Sequence, residues 1–239
     1  MKWNLDFEWN TFDTLYALDS FASYCLENEA LIQKAADEEE ARFGPKWTPK
    51  DEEESAEYKM ERNTARHLHD EIMTPMFRYS CIVMLYTIIE RELRRLVDNL
   101  EKERGRQKLR VNDIREASFL GQVGKFMEVF FGPRLAACPE YQALCDLQKI
   151  RDCITHCQGD VSLFRDKDYL VSLKDRRAGF FAWEGTDVEI RAECIEQFIR
   201  ETWAFFDWLF SELNWKIDDS WKGSKWAPPP SEAKPVKAK

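Results

Sequence analysis

The sequence predicts a mainly α-helical protein, a helical bundle with one small β-hairpin before its last helix, and three observations point there. Hydrophobic residues make up 44% and charged residues 33% of 239, with only nine Gly and nine Pro. That balance favours long solvated helices over a turn-rich sandwich. Apolar side chains recur every three or four residues through several long runs, and strict alternation is confined to short segments. The chain is long enough to bury one sizeable core.

At the start, Trp3, Leu5, Phe7 and Trp9 alternate with polar residues, the period of a half-buried strand or extended arm. From Thr11 the spacing turns helical: Phe12, Leu15, Tyr16, Leu18, Phe21, Ala22, Cys25 and Leu26 predict a helix running toward Arg42, stopped by Gly44, Pro45 and Pro49. Acidic blocks at 37–40 and 51–54 flank that turn as solvated helix ends. A second helix is expected from about Asp51 to Glu103, bent near Pro75, whose ring removes a backbone donor and crowds the preceding turn. Its middle, residues 79–89, is apolar on all sides and predicts a central position. Those 11 residues, bounded by Arg78 and Glu90, fall short of a bilayer roughly 30 Å thick, so no membrane association is expected.

After the basic segment 102–110, Asn112 or Asp113 is expected to cap a helix carrying Ile114, Phe119, Leu120, Val123, Phe126, Met127 and Phe130, ended by Gly132 and Pro133. Another helix starts near Pro139 and ends by Gly159. Tyr169, Val171 and Leu173 alternate, as do Phe180, Ala182, Val188 and Ile190; with the charged turn 174–177 between them they predict the hairpin. Residues 191–214 close the core as a helix rich in Ile195, Phe198, Ile199, Phe205, Phe206, Leu209 and Phe210. The expected organisation is therefore an N-terminal arm and acidic helical hairpin over 1–69, a helical domain over 70–215, and a disordered tail over 216–239. Tryptophans 203, 208, 215, 221 and 226 lie at core-forming spacing rather than forming a base-stacking surface.

The net charge of −9 is unevenly placed: residues 1–60 hold six basic and 15 acidic side chains, and the remainder balances. Residues 91–115 hold nine basic against five acidic, and Arg91, Arg94 and Arg95 open that stretch as candidate phosphate contacts. The N-terminus lacks a basic stretch followed by an apolar run, and seven cysteines, an odd number, sit within helical patterns. A reduced, cytoplasmic compartment is expected. Gly-rich phosphate loops, GxSxG, HExxH and paired CxxC are absent, which removes most familiar enzyme classes and leaves no expected cofactor.

Three histidines, 67, 69 and 156, are the candidates for acid/base chemistry near neutral pH. On the helix ending by Gly159, at about 100° per residue, Ala143, Leu147, Ile150, Ile154 and Cys157 form the apolar stripe. Asp152 and His156 lie opposite it, one turn apart, and Arg151 flanks it. An Asp in that position accepts a hydrogen bond from the imidazole N–H, fixes its tautomer and favours its charged form, and an Arg binds phosphate bidentately. Cys145, Cys153, His156 and Cys157 diverge around the helix, so no metal site is expected.

The run Arg151, Asp152, Cys153, Ile154, Thr155, His156, with the preceding central helix around residues 85–93 and the following Gly, hairpin and closing helix, resembles the HEPN superfamily over about residues 70–214. Members carry an Arg, usually a polar residue, further residues and a His at the end of a core helix. The resemblance implies a homodimeric helical domain in which two such motifs meet and cleave RNA without a metal, the ribose 2′-hydroxyl attacking its own phosphate. Arg151, Asp152 and His156 would be the catalytic set, with Thr155 a further phosphate contact. It also implies a toxin or antiviral role and a protein antitoxin or regulator. The segment Arg62-Asn63-Thr64-Ala65-Arg66-His67 matches the motif too, but lacks the apolar helix before it and the hairpin after. The alternative is a non-catalytic dimeric module that binds through its basic 91–115 surface or its acidic first quarter.

Overall fold

The structure is a computed structural model that describes residues 6–43, 51–103, 110–183, 185–215, 224 and 226. It is mainly helical, with a two-strand antiparallel hairpin directly before the last helix. The long helices are α1 (Asp6–Arg42), α2 (Glu52–Arg66), α3 (Thr74–Glu103), α4 (Phe119–Phe130), α5 (Tyr141–Cys157) and, after the short α6 (Lys167–Leu173), α7 (Ala192–Glu212). The hairpin strands are β1 (Phe180–Phe181) and β2 (Glu189–Ile190).

One core unites the first and last helices with the middle of the chain. Leu15, Leu18, Phe21, Ala22 and Cys25 of α1 pack with Cys81, Ile82, Leu85, Tyr86, Ile89 and Leu93 of α3, and with Ile150 and Ile154 of α5. Across them lies α7, with Phe198, Trp203, Phe205, Phe206 and Phe210 fully buried. Spacings of three and four on each helix make these stripes, as the sequence predicts. The expected strand at the N-terminus is overturned: Phe7 and Trp9 lie inside α1. Trp3 and Leu5 lie outside the described residues, as do Gly44, Pro45 and Pro49.

Beyond Leu26, α1 leaves the core and pairs with α2, which buries no residue at all. Arg62 binds Glu40 at 2.8 Å, Arg66 reaches the same carboxylate at 3.5 Å, and the Phe43 ring packs edge-on against Tyr58 with centroids 5.5 Å apart. The Asp51 side chain caps α2 by accepting from the Glu54 amide at 2.8 Å, with Glu52, Glu53 and Glu54 in the first turn, where the helix dipole favours negative charge.

Between α2 and α3 the chain winds into a π-helical segment, His67–Met73. The Thr74 amide donates to the His69 carbonyl, five residues back. Pro75 has no amide to continue an α-ladder, and the π-helical turns lie directly before it. The run Glu52–Lys102 contains one 18-residue stretch apolar enough by length and composition to span a membrane, of which 28% is buried. Met60, Leu68, Ile72, Met73, Met76 and Met84 are the large apolar side chains exposed along the run.

Two further expectations are corrected. The helix after the basic segment is capped by Ser118, whose Oγ accepts from the Gly121 amide at 3.1 Å; Val111–Asp113 forms a separate 3₁₀ turn and Ile114 lies outside the helix. Tyr169, Val171 and Leu173 are not a strand but α6, because Leu170 and Leu173, three apart, are the residues that bury. The hairpin therefore pairs Phe180 with Ile190 and Phe181 with Glu189, its turn lying in residues 182–188. Within residues 216–239, Ser224 donates to Asp19 at 3.0 Å and Trp226 is 3% exposed; the rest of that stretch lies outside the described residues. Trp203 and Trp215 are buried too; Trp221 lies outside the described residues.

Candidate functional site

The carboxyl end of α5 is held by its turn. Gln158 takes φ 57° and Gly159 φ 93°, and the Gly159 amide donates back to the Cys153 carbonyl at 3.2 Å, closing the helix in a left-handed cap. At Gly159 a β-carbon would meet the Tyr79 hydroxyl at 2.5 Å, so this position requires glycine for space as well as backbone. The chain then pairs with the hairpin: the Val188 amide donates to Gly159, the Val161 amide to Thr186, and Asp160 bridges Asp187. Tyr79 donates to the Val188 carbonyl at 2.6 Å and Arg78 to that of Ile190 at 3.2 Å, while Arg78 also grips Glu29 of α1. Helix α3 thereby fixes the hairpin beside the end of α5.

On this end Arg151 is largely enclosed. Its guanidinium lies 4.3 Å from the centre of the Tyr86 ring, with Nη1 2.8 Å from Asp152 and Nη2 3.5 Å from Glu90. Its Nε is buried and has no partner among the described residues. Burial pushes the Tyr86 phenol above its usual range, and Glu90 adds to that shift, so the ring beneath Arg151 stays neutral. Thr155, expected as a phosphate contact, spends its hydroxyl on the Arg151 carbonyl at 2.8 Å. His156 is exposed, with no hydrogen bond or ion pair among the described residues. The expected Asp152–His156 pair does not form within the chain; Arg151, one position away and permanently charged, takes the carboxylate.

The basic stretch is not assembled with this end. Arg91 and Arg95 converge on the buried Glu92, at 2.8 and 3.1 Å, and Arg95 also binds Asp13 of α1 at 2.6 Å. Thr14 donates to the same Glu92 at 3.0 Å. On a helical projection Arg91 and Arg95 lie about 100–180° from Tyr86 and Glu90, the residues that meet Arg151. Arg94 stacks 4.0 Å from the centre of the Phe119 ring. Arg104, Arg106 and Lys108 lie outside the described residues.

The strongest polar constellation escaped sequence reading. Asp146, fully buried in α5, accepts from Arg177 Nε and Nη2 at 2.9 and 2.7 Å and from the Tyr169 hydroxyl at 2.5 Å. Arg177 Nη1 binds Glu201 of α7 at 2.6 Å. Burial and the bond to Asp146 push the Tyr169 phenol up to about 12. The available signal was the position of Asp146 on the apolar stripe, about 40° from Ile150; a carboxylate there demands a buried cation. Arg177, in the stretch 174–177 read as a charged turn, supplies it. Among the described residues no group of three or more His, Cys, Asp or Glu side chains is arranged to hold a metal ion. His67 pairs with Glu71 at 2.9 Å on the surface of the π segment.

No protein-family model, no curated protein and no solved structure matches the chain.

Proposed function

We propose that the chain is a metal-independent endoribonuclease of HEPN type that acts as a homodimer in the cytoplasm. The observation that carries the reading is the presence, at one helix end, of an exposed imidazole and a guanidinium with a buried Nε, five residues apart, neither group having a hydrogen-bond partner for those atoms among the described residues. A second copy placed against this end would bring two such pairs to one scissile phosphate. One His156 takes the 2′-hydroxyl proton as the 2′-oxygen bonds to phosphorus; the other gives a proton to the departing 5′-oxygen, leaving a cyclic phosphate and a 5′-hydroxyl. Arg151 stabilises the charge that builds on the phosphoryl oxygens. A toxin or antiviral role, with a protein that restrains the nuclease, follows from the same resemblance.

A non-catalytic dimeric binding module is the second reading, favoured by one fact: Glu90 and Asp152 already neutralise Arg151. The deciding experiment is cleavage of a mixed RNA substrate by the purified protein in excess chelator, comparing wild type with His156→Ala and His67→Ala. Loss of activity only in His156→Ala, with cyclic-phosphate ends in wild-type products, supports the nuclease. Equal activity of all three, or none in a dimeric wild type, overturns it.

A further inference from the structure

We propose that Cys25 and Cys81 form a redox-closable pair, a modification site at which peroxide fastens α1 to α3 through a disulfide. This inference stands apart from the nuclease reading. The two thiols come from helices 56 residues apart in sequence, and their sulfurs lie 3.5 Å apart, Cys25 donating to Cys81. A disulfide needs roughly 2.05 Å between sulfurs, so closure asks about 1.5 Å of combined movement, within reach of small side-chain rotations.

Access is built on one side only. Cys81 is fully buried, whereas Cys25 lines a cavity of about 40 Å³ whose other walls include Glu29, Ile195, Ile199 and Trp226. That volume accepts one or two water-sized molecules and excludes bulky reagents. Trp226 belongs to the short described part of the tail, held by Ser224 on Asp19 and by Arg200 over the Trp226 ring at 5.7 Å. It forms the wall most easily opened, because among the described lining residues it alone comes from neither α1 nor α7.

The hydrogen bond to Cys81, then burial, hold the Cys25 thiol well above its usual range. Cys25 thus rests as the thiol and reacts only through the small fraction of molecules that ionise, so its oxidation is slow and asks for ample peroxide. Peroxide supplies the two electrons' worth of oxidation. The Cys25 sulfur attacks one peroxide oxygen; an S–O bond forms, the O–O bond breaks, and the leaving hydroxide takes the thiol proton as water. The Cys81 sulfur, already in contact, then attacks the sulfenic sulfur; an S–S bond forms, the S–O bond breaks, and the hydroxyl leaves with the Cys81 proton as a second water. Overall two thiols and one hydrogen peroxide give one disulfide and two waters. Contact between the sulfurs favours this second step over further oxidation of Cys25.

The test treats the purified full-length chain with hydrogen peroxide, alkylates remaining thiols after denaturation, and maps the cysteine peptides by mass spectrometry. The expected product joins the Cys25 and Cys81 peptides, lacks two hydrogens relative to the reduced chain, reverts with dithiothreitol, and melts several degrees higher because a long loop has been closed. Trp226→Ala is expected to speed the reaction several-fold; an unchanged rate overturns the cavity as the route. Cys25→Ser and Cys81→Ser should each abolish the link and the Tm rise. If either fails to fold, the peptide map of wild type decides alone. Sulfinic or sulfonic acid at Cys25 without the cross-link, or a disulfide elsewhere in preference, overturns the proposal.

Discussion

Asp152 shows how one carboxylate shapes a site. It lies 2.8 Å from Arg151 and competes with any phosphate for that guanidinium. Asp152→Asn keeps the shape and removes the charge, so under the proposed nuclease function RNA cleavage should rise roughly fivefold, the effect of about 1 kcal/mol less competition, read from initial rates. Were Asp152 instead orienting His156, the same change would lower the rate. Gly159 carries a different constraint: with φ 93° and the Tyr79 hydroxyl 2.5 Å from a would-be β-carbon, Gly159→Ala should destabilise by about 2–3 kcal/mol in urea unfolding and loosen the hairpin from α3. At this scale the sequence was legible where periodicity places a side chain, as for Arg151 on the flank of α5. It was silent on which partner a side chain finds across 31 residues, as Asp146 does in Arg177.

Among the elements, the helices were readable because their stripes repeat over many turns; α3, α5 and α7 bury the residues their spacing selects. Short elements were not. Three alternating residues in α6 matched a strand, and only the burial of Leu170 and Leu173 against the rest of the chain makes that segment a helix. Its Tyr169 then ties α6 to Asp146 of α5 at 2.5 Å. Because burial raises this phenol from 10 to about 12, folding retains a proton that the unfolded chain gives up first. The contribution is complete below pH 10 and is lost as the pH climbs toward 12. Thermal melts between pH 8 and pH 11 should therefore show falling Tm above about pH 10, and Tyr169→Phe should flatten that part of the curve.

For the molecule as a whole, the sequence separated an acidic N-terminal part from a helical domain, and the structure divides the two within a single helix. The first half of α1 lies in the common core; the second half joins α2 by ion pairs and one aromatic contact, with no buried residue on α2. Composition shows the change in polarity but cannot show that one continuous helix spans it. Exposed ion pairs weaken when salt screens them. Raising the salt from low concentration to about 1 M should increase hydrogen exchange in α2 while α3 and α7 stay protected, and Glu40→Gln should reproduce the effect at low salt.

The continuity of α1 also makes it a lever. Its 37 residues span about 55 Å at 1.5 Å each, and the part beyond Leu26 projects about 24 Å past the core. A tilt of about 10° at the buried end displaces the acidic tip by about 4 Å, so small repacking around Leu18 or Phe21 is magnified at the charged end. Anything that grips that tip, in turn, pulls with mechanical advantage on the layer beneath α7.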